Sequence, residues 1–269
     1  MTIFGADLGQ QDVREPITIS ALEFDVLTEY LALGEMPVVL RVPSPGSTNT
    51  ERNQLVSSAW ASLQAKGYGR AVDLDPRLRH MLGVLARPDS EVDGRLWLDG
   101  EIRLLAALRG EHAVLATMRA GNLTLREAAP TGLPREALTV LPSRDAGQGV
   151  SITLPSARFE AAAAKGTTPE AFEAALREFG LRAEDAKQLR AMIGDVTGQG
   201  QFGAAARDKW GARHRADHVV SFFETEGGRY MQIRRESTAD EPWSTISPVD
   251  ARRMNQHVTT MYQEALVSG

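Results

Sequence analysis

Glu91-Val-Asp-Gly-Arg-Leu-Trp-Leu-Asp-Gly-Glu-Ile-Arg-Leu-Leu-Ala-Ala-Leu-Arg109 is the stretch whose reading decides the fold. Ile102, Leu104, Ala106 and Leu108 alternate with Arg103, Leu105, Ala107 and Arg109. That period of two belongs to a strand in a sheet with at least one buried face. Asp99-Gly100 is a favoured tight turn, so 91–98 and 101–109 read as a hairpin. Outward from it, Gly110 and Gly121-Asn122 separate two more runs, 112–119 and 122–127. The four together make an antiparallel meander, followed by a short helix from about Pro134 to Leu141.

Upstream the period changes to that of helices. Ser20-x-x-Glu23 and Thr48-x-x-Glu51 are capping boxes, in which a hydroxyl and a carboxylate satisfy each other's backbone N–H groups. Phe24, Leu27 and Leu31 make one apolar stripe, which Gly34 ends. Leu55, Val56, Ala59, Trp60 and Leu63 make the next, up to Gly67. Asp75-Pro76 opens a third helix, a polar cap with proline at the first helical position, and Leu78, Met81, Leu82 and Leu85 form its stripe. Between the first two helices, the β-branched run Pro37–Val42 is expected to be a short strand. Residues 1–16 read as a flexible lead-in.

Downstream, 143–149 is the best linker candidate. A brief strand at 150–154 follows, then helices at 155–165, 168–179 and 183–194. Strands are expected again near 201–208, 217–225, 229–236 and 243–246, and Ser247-Pro248 is expected to cap a last helix. Each half therefore runs short strand, helices, strand meander, terminal helix. The expected architecture is α+β: a central antiparallel sheet with two helical bundles. The order of hydropathy predicts a quasi-twofold internal duplication, 17–142 and 150–269, joined in one compact unit.

Composition narrows the chemistry. A chain of 269 residues with 42% hydrophobic content buries a sizeable core, in one domain or two subdomains. Its 35 acids against 30 bases give a net charge of −5, which argues against nucleic acid as the main partner. The absence of cysteine excludes disulfides, thiolate metal sites and cysteine nucleophiles. Apolar runs such as Leu104–Leu108 fall far short of a membrane span, and the polar N-terminus does not read as a secretory signal. A cytoplasmic location is expected.

No catalytic constellation stands out. His214 and His218 lie four apart, a spacing that aims two ligands at one metal on a helix. Here they sit with Gly211, Arg213 and Arg215 between two expected strands, so a solvated loop is expected, with no metal and no cofactor. His80, His112 and His257 read as isolated surface residues. Gly198-Gln-Gly-Gln-Phe-Gly203 follows a helix and precedes a strand, the reverse of a phosphate-binding loop. It is expected to be the turn ending that helix. Glu224 and Glu226, near Asp217, read as solvated charge at a hairpin end. Arg213, Arg215, Arg234 and Arg235 form a basic group too small for nucleic acid and better suited to the rim of a protein interface. No Gly-x-Ser-x-Gly elbow is present.

Two stretches resemble a known family. Leu31-Ala-Leu-Gly-Glu-Met-Pro-Val-Val-Leu-Arg-Val-Pro-Ser-Pro-Gly46 with Glu51-Arg-Asn-Gln-Leu-Val-Ser-Ser-Ala-Trp60 is similar to the N-terminal signature of the EspG family, actinobacterial proteins tied to type VII (ESX) secretion. Gly200-Gln-Phe-Gly-Ala-Ala-Ala-Arg-Asp208, Val219-Val-Ser-Phe-Phe223 and Gly228-Arg-Tyr-Met-Gln-Ile233 resemble its C-terminal signature. The resemblance implies an α+β fold with quasi-twofold bundles. It also implies a cytosolic chaperone, not an enzyme, that binds the apolar tip of a PE–PPE heterodimer through the PPE subunit and directs the pair to its secretion system.

By position, the resemblance places a contact loop near Leu98 and Glu101, sheet contacts at Ser221, Phe223, Gln232 and Arg234, and Gln201 and Phe202 where strand and bundle meet. The free protein is expected to be a monomer or weak homodimer, with neither nucleic acid nor membrane as partner. The readings from other classes are a nucleic-acid-binding regulator using the arginine group, and an enzyme with an unrecognised site.

Overall fold

A computed structural model describes residues 15–235 and 241–268, so the expected lead-in lies, but for its last two residues, outside the described residues. The N-terminal half contains β1 (Ile17–Ser20), α1 (Ala21–Tyr30), α2 (Asn49–Ala65), a small hairpin of β2 (Gly69–Arg70) and β3 (Asp73–Leu74), and α3 (Pro76–Ala86). The meander follows as β4 (Ser90–Leu98), β5 (Glu101–Arg109), β6 (His112–Arg119) and β7 (Asn122–Ala128), closed by α4 (Leu133–Leu138). The C-terminal half contains β8 (Ile152–Pro155), α5 (Ser156–Lys165), α6 (Pro169–Glu178) and α7 (Ala183–Met192). After these come β9 (Gly198–Arg207), β10 (Arg213–Arg215), β11 (Val220–Thr225), β12 (Gly228–Arg235), β13 (Trp243–Pro248) and α8 (Ala251–Ser268).

All strands but β2 and β3 join one antiparallel sheet in the order β1-β7-β6-β5-β4-β9-β11-β12-β13-β8, with β10 beside the second half of β9. Read outward from the β4–β9 pair, both halves run through a meander to its last strand, which pairs the half's first strand. The β4–β9 pairing is long, from Ser90↔Ala206 to Leu98↔Gly198, and it welds the halves into a single sheet.

Alternation along the strands feeds three apolar cores. On one face α1, α2 and α3 pack over the N-terminal strands through Phe24, Leu27, Leu63, Leu78, Met81, Leu105 and Leu125. On the opposite face α4 and α8 cover the middle through Leu104, Phe202, Val220, Phe222, Met254 and Met261. The third core sets α5, α6 and α7 against β8, β12 and β13 through Leu154, Phe172, Leu176, Leu189, Tyr230 and Ile246.

The local signals form as physics requires. Ser20 Oγ accepts the Glu23 N–H at 3.2 Å while the Glu23 carboxylate accepts the Ser20 N–H, and Thr48 with Glu51 does the same for α2. Asp75 caps α3 by accepting the Leu78 N–H at 2.9 Å, with Pro76 at the first helical position. Burial pushes the Glu23 carboxyl up, but hydrogen bonds from Lys66, Ser62 and the Ser20 N–H outweigh it and hold it below the usual glutamate range. A depressed carboxylate contributes stability above its unfolded pKa and loses it as pH falls through the folded one. Glu23→Gln is therefore expected to cost about 1–2 kcal/mol near neutral pH, with the deficit shrinking in urea melts taken below pH 4.

Four expectations need correction. The run Pro37–Val42 is no strand: Val38–Leu40 is a 3-10 turn. No strand among the described residues offers it a ladder, and the Arg103 guanidinium instead donates to the Val39 and Arg41 carbonyls at 3.3 and 2.7 Å. Gly198–Gly203 is not a helix-ending turn but the first half of β9. Its glycines are steric: a Cβ at Gly200 would lie 2.6 Å from Leu96 Cδ2, and one at Gly203 would lie 2.0 Å from Arg215 Nη2. Residues 213–215, expected as loop, are β10, registered on β9. Ser247-Pro248 ends β13, and α8 is capped by Asp250, which accepts the Arg253 N–H at 2.7 Å.

The segment 143–149 is tied down along its length. Arg229 exchanges backbone hydrogen bonds with Asp145 and Gly147 at 2.9 and 3.0 Å. Tyr230 Oη donates to the Gln148 carbonyl at 3.1 Å.

Candidate partner-binding surface

One register row crosses ten strands: Ile19, Leu123, Met118, Arg103, Arg95, Gln201, Ser221, Gln232, Ile246 and Ile152. Every member points to the same face, because paired residues share a side of the sheet. The three apolar members at one end are buried under α1–α3, and the two at the other under α5–α7. The five between them are polar, and none is buried. The sheet thus has an open polar floor between two helical walls.

The neighbouring row, Glu101, Trp97, Gln199, Phe223 and Tyr230, extends that floor. Trp97 is 58% exposed. Phe223 is half-buried and stacks on Tyr230 at 5.3 Å, at the edge of the third core. These side chains line a groove of about 440 Å3. A second groove of about 400 Å3 continues from it past Arg95 and Gln201 to Met36, Val38 and Arg41 in the segment after α1. Val38 is 62% exposed there, so apolar anchors flank a hydrogen-bonding floor.

Charge in the second groove is mostly paired. Arg215 makes a two-pronged contact with Asp93 at 2.7 and 2.9 Å across Gly203, and that contact holds its guanidinium pKa above the usual range. Arg213 donates to the buried Glu91 at 3.0 Å. Arg234 bridges to Glu160 of α5 at 2.6 Å. Arginines committed to neighbouring carboxylates do not present the concentrated basic face that phosphate backbones require.

Of the eight residues singled out in the sequence, six come together on this face: Glu101, Gln201, Ser221, Phe223, Gln232 and Arg234. Leu98 and Phe202 do not. Leu98 packs against the core beneath α4 and α8. Phe202 is fully buried in that core, its ring stacked on Phe222 at 6.0 Å. It neighbours Gln201 in β9, so alternation sends it to the other face and removes it from the floor. Arg95, Trp97, Arg103 and Gln199 belong to the floor and escaped the reading of the sequence. The alternation of Arg95 and Trp97 with Leu96 was the available signal.

Other polar groups also sit differently from expectation. Glu224 is no solvated hairpin charge: it is 6% exposed and ion-paired to Arg229, which is 1% exposed. His80 and His112 are exposed but not isolated, their rings meeting edge to face at 4.4 Å. His257 is half-buried. His214 pairs with Asp208 at 3.0 Å and His218 lies 3.4 Å from Glu264 of α8, so their side chains have separate partners. No group of three or more metal-ligating side chains is formed among the described residues. No helix among them is long and apolar enough to cross a membrane.

A broad antiparallel sheet with helices on both faces, and a polar strip left bare between two bundles, defines an α+β scaffold with an open polar floor. Within that class the chain belongs to the EspG family, whose model matches residues 20–260. It is 24% identical over 229 residues to the ESX-1 secretion-associated protein EspG1 of Mycobacterium tuberculosis (strain ATCC 25618 / H37Rv), covering 80% of this chain and 75% of that one. Its fold is similar, at a TM-score of 0.70 and 20% identity over 92% of this chain and 95% of the other, to the Mycobacterium tuberculosis type VII secretion system chaperone EspG5. That chaperone was solved in complex with the PE25–PPE41 dimer.

Proposed function

We propose that this chain is a non-catalytic cytoplasmic carrier that binds a PE–PPE heterodimer through its PPE subunit. It shields the apolar tip of the pair and directs it to a cognate type VII secretion system. The observation that carries this reading is the ten-residue row, apolar under both bundles and polar where the sheet is bare. A protein with no partner gains nothing from keeping five central strands uncovered on one face. A helical tip laid into the grooves buries Trp97 and Val38 as anchors, while Gln201, Ser221 and Gln232 supply hydrogen bonds at the centre. The complex of EspG5 with PE25–PPE41 supports the choice of client. The free protein is a monomer or weak homodimer in this reading.

Coexpression with candidate PE–PPE pairs, followed by size exclusion, tests it. A 1:1:1 complex is expected. Failure to co-migrate with any such pair, or turnover of a metabolite by purified protein, overturns it.

A further inference from the structure

A separate concavity lies on the other side of the sheet, away from the open floor. There the backs of β12 and β13 meet the first turns of α8. Arg235, Arg253, His257, Ser151, Thr245 and Ser247 line a cavity of about 260 Å3 together with core side chains. Among the described residues that line it there is no aspartate or glutamate. Two nearby carboxylates are engaged elsewhere, Asp250 in capping α8 and Glu264 beside His218. Among the described residues neither Arg235 nor Arg253 has an ion-pair partner, in contrast to Arg213, Arg215 and Arg234 on the floor.

Two guanidinium groups that line one small cavity with no carboxylate partner among the described residues are an electrostatic cost in the free protein, and a compact anion removes it. We propose that this cavity is an oxyanion-binding site for a sulfate- or phosphate-like group, held by the Arg235 and Arg253 guanidinium groups and completed by His257 and the Ser247 hydroxyl. The planar fork of arginine matches a tetrahedral oxyanion through two parallel N–H donors. His257 already registers the field. Burial, then the Arg235 and Arg253 charges and His218, hold its imidazole below the usual histidine range. A bound anion stabilises the imidazolium, so binding takes up a proton and affinity rises as pH falls.

Calorimetry on the full chain with sodium sulfate, against sodium chloride at matched ionic strength, tests the site without reference to any client. Sulfate keeps its charge across the range used, so a pH dependence reports the protein. Saturable binding that strengthens from pH 7.5 to pH 5.5 is expected. Arg253→Gln should weaken it about tenfold, the worth of one charge-assisted contact, and Arg235→Gln with Arg253→Gln should abolish it. His257→Gln should flatten the pH profile, while Arg252→Gln, outside the cavity, should change nothing. O-phosphoserine distinguishes the source: tighter binding than sulfate assigns the site to a phosphate carried on a larger molecule, and equal or weaker binding to a free oxyanion. The proposal is overturned if sulfate behaves as chloride does, or if the double variant binds sulfate as the wild type does.

Discussion

Arg229→Met is expected to lower the free energy of unfolding by about 3–5 kcal/mol, the cost of leaving a buried charge without its partner. Arg229 is among the largest fully buried side chains in the described structure. Its Nε donates to Glu224 at 2.8 Å and an Nη donates to the Pro142 carbonyl at 2.7 Å, while its backbone holds Asp145 and Gly147. One residue thus joins the β11–β12 hairpin to the segment linking the halves. Removing the guanidinium strands Glu224, 6% exposed, in an apolar setting. Removing both charges, as in Arg229→Met with Glu224→Leu, should leave the protein closer to wild type than either single change. Urea denaturation of the three variants measures this. A single-variant loss under about 1 kcal/mol would show the pair to be solvated in practice. Limited proteolysis gives a second readout, since cleavage within 143–149 should accelerate in Arg229→Met once the Pro142 anchor is gone.

Trp97→Ala is expected to weaken the client complex by about 2 kcal/mol or more, roughly 30-fold in Kd, while leaving the melting curve of the free protein nearly unchanged. The indole is 58% exposed at the end of the groove, so its truncation removes binding surface and opens no cavity. Phe202→Ala should do the opposite. Its ring is fully buried against Phe222, and truncation should cost about 3–5 kcal/mol of stability, with the folded fraction still binding. Ser221→Arg, at the centre of the bare row, adds bulk and charge where the floor must be approached closely and should abolish co-migration without unfolding the chain. Isothermal titration with the PE–PPE pair, paired with thermal melts, separates these outcomes. Equal affinity of Trp97→Ala and wild type would remove this floor as the binding surface.

Much of this molecule was written in short-range chemistry. Both capping boxes, the Asp75-Pro76 helix start and the Asp99-Gly100 turn depend on contacts within four residues, and each formed as the local pattern dictates. Alternation in 91–109 told which side chains of that hairpin share a face, and the same period applied to the strand expected at 201–208 parts Gln201 from Phe202, which the family resemblance had placed together. The family signatures were likewise legible as strings of residues, and the family match over residues 20–260 agrees with them.

What local pattern could not supply is which strands become neighbours, because β pairing joins residues far apart in sequence. The union of β4 with β9, more than a hundred residues away, creates the bare floor. The same union turns glycines that look like a loop into the close-packed start of a strand, where Leu96 and Arg215 leave no room for a side chain. Glu224 looks solvated in a hairpin and is buried because Arg229 and the folded-back linking segment close over it. The amino-acid order by itself determined the family, most of the elements, and the caps of α1, α2 and α3. Only the tertiary structure decided which polar residues stand bare between two bundles and which are sealed inside, since exposure is set by what packs from elsewhere in the chain.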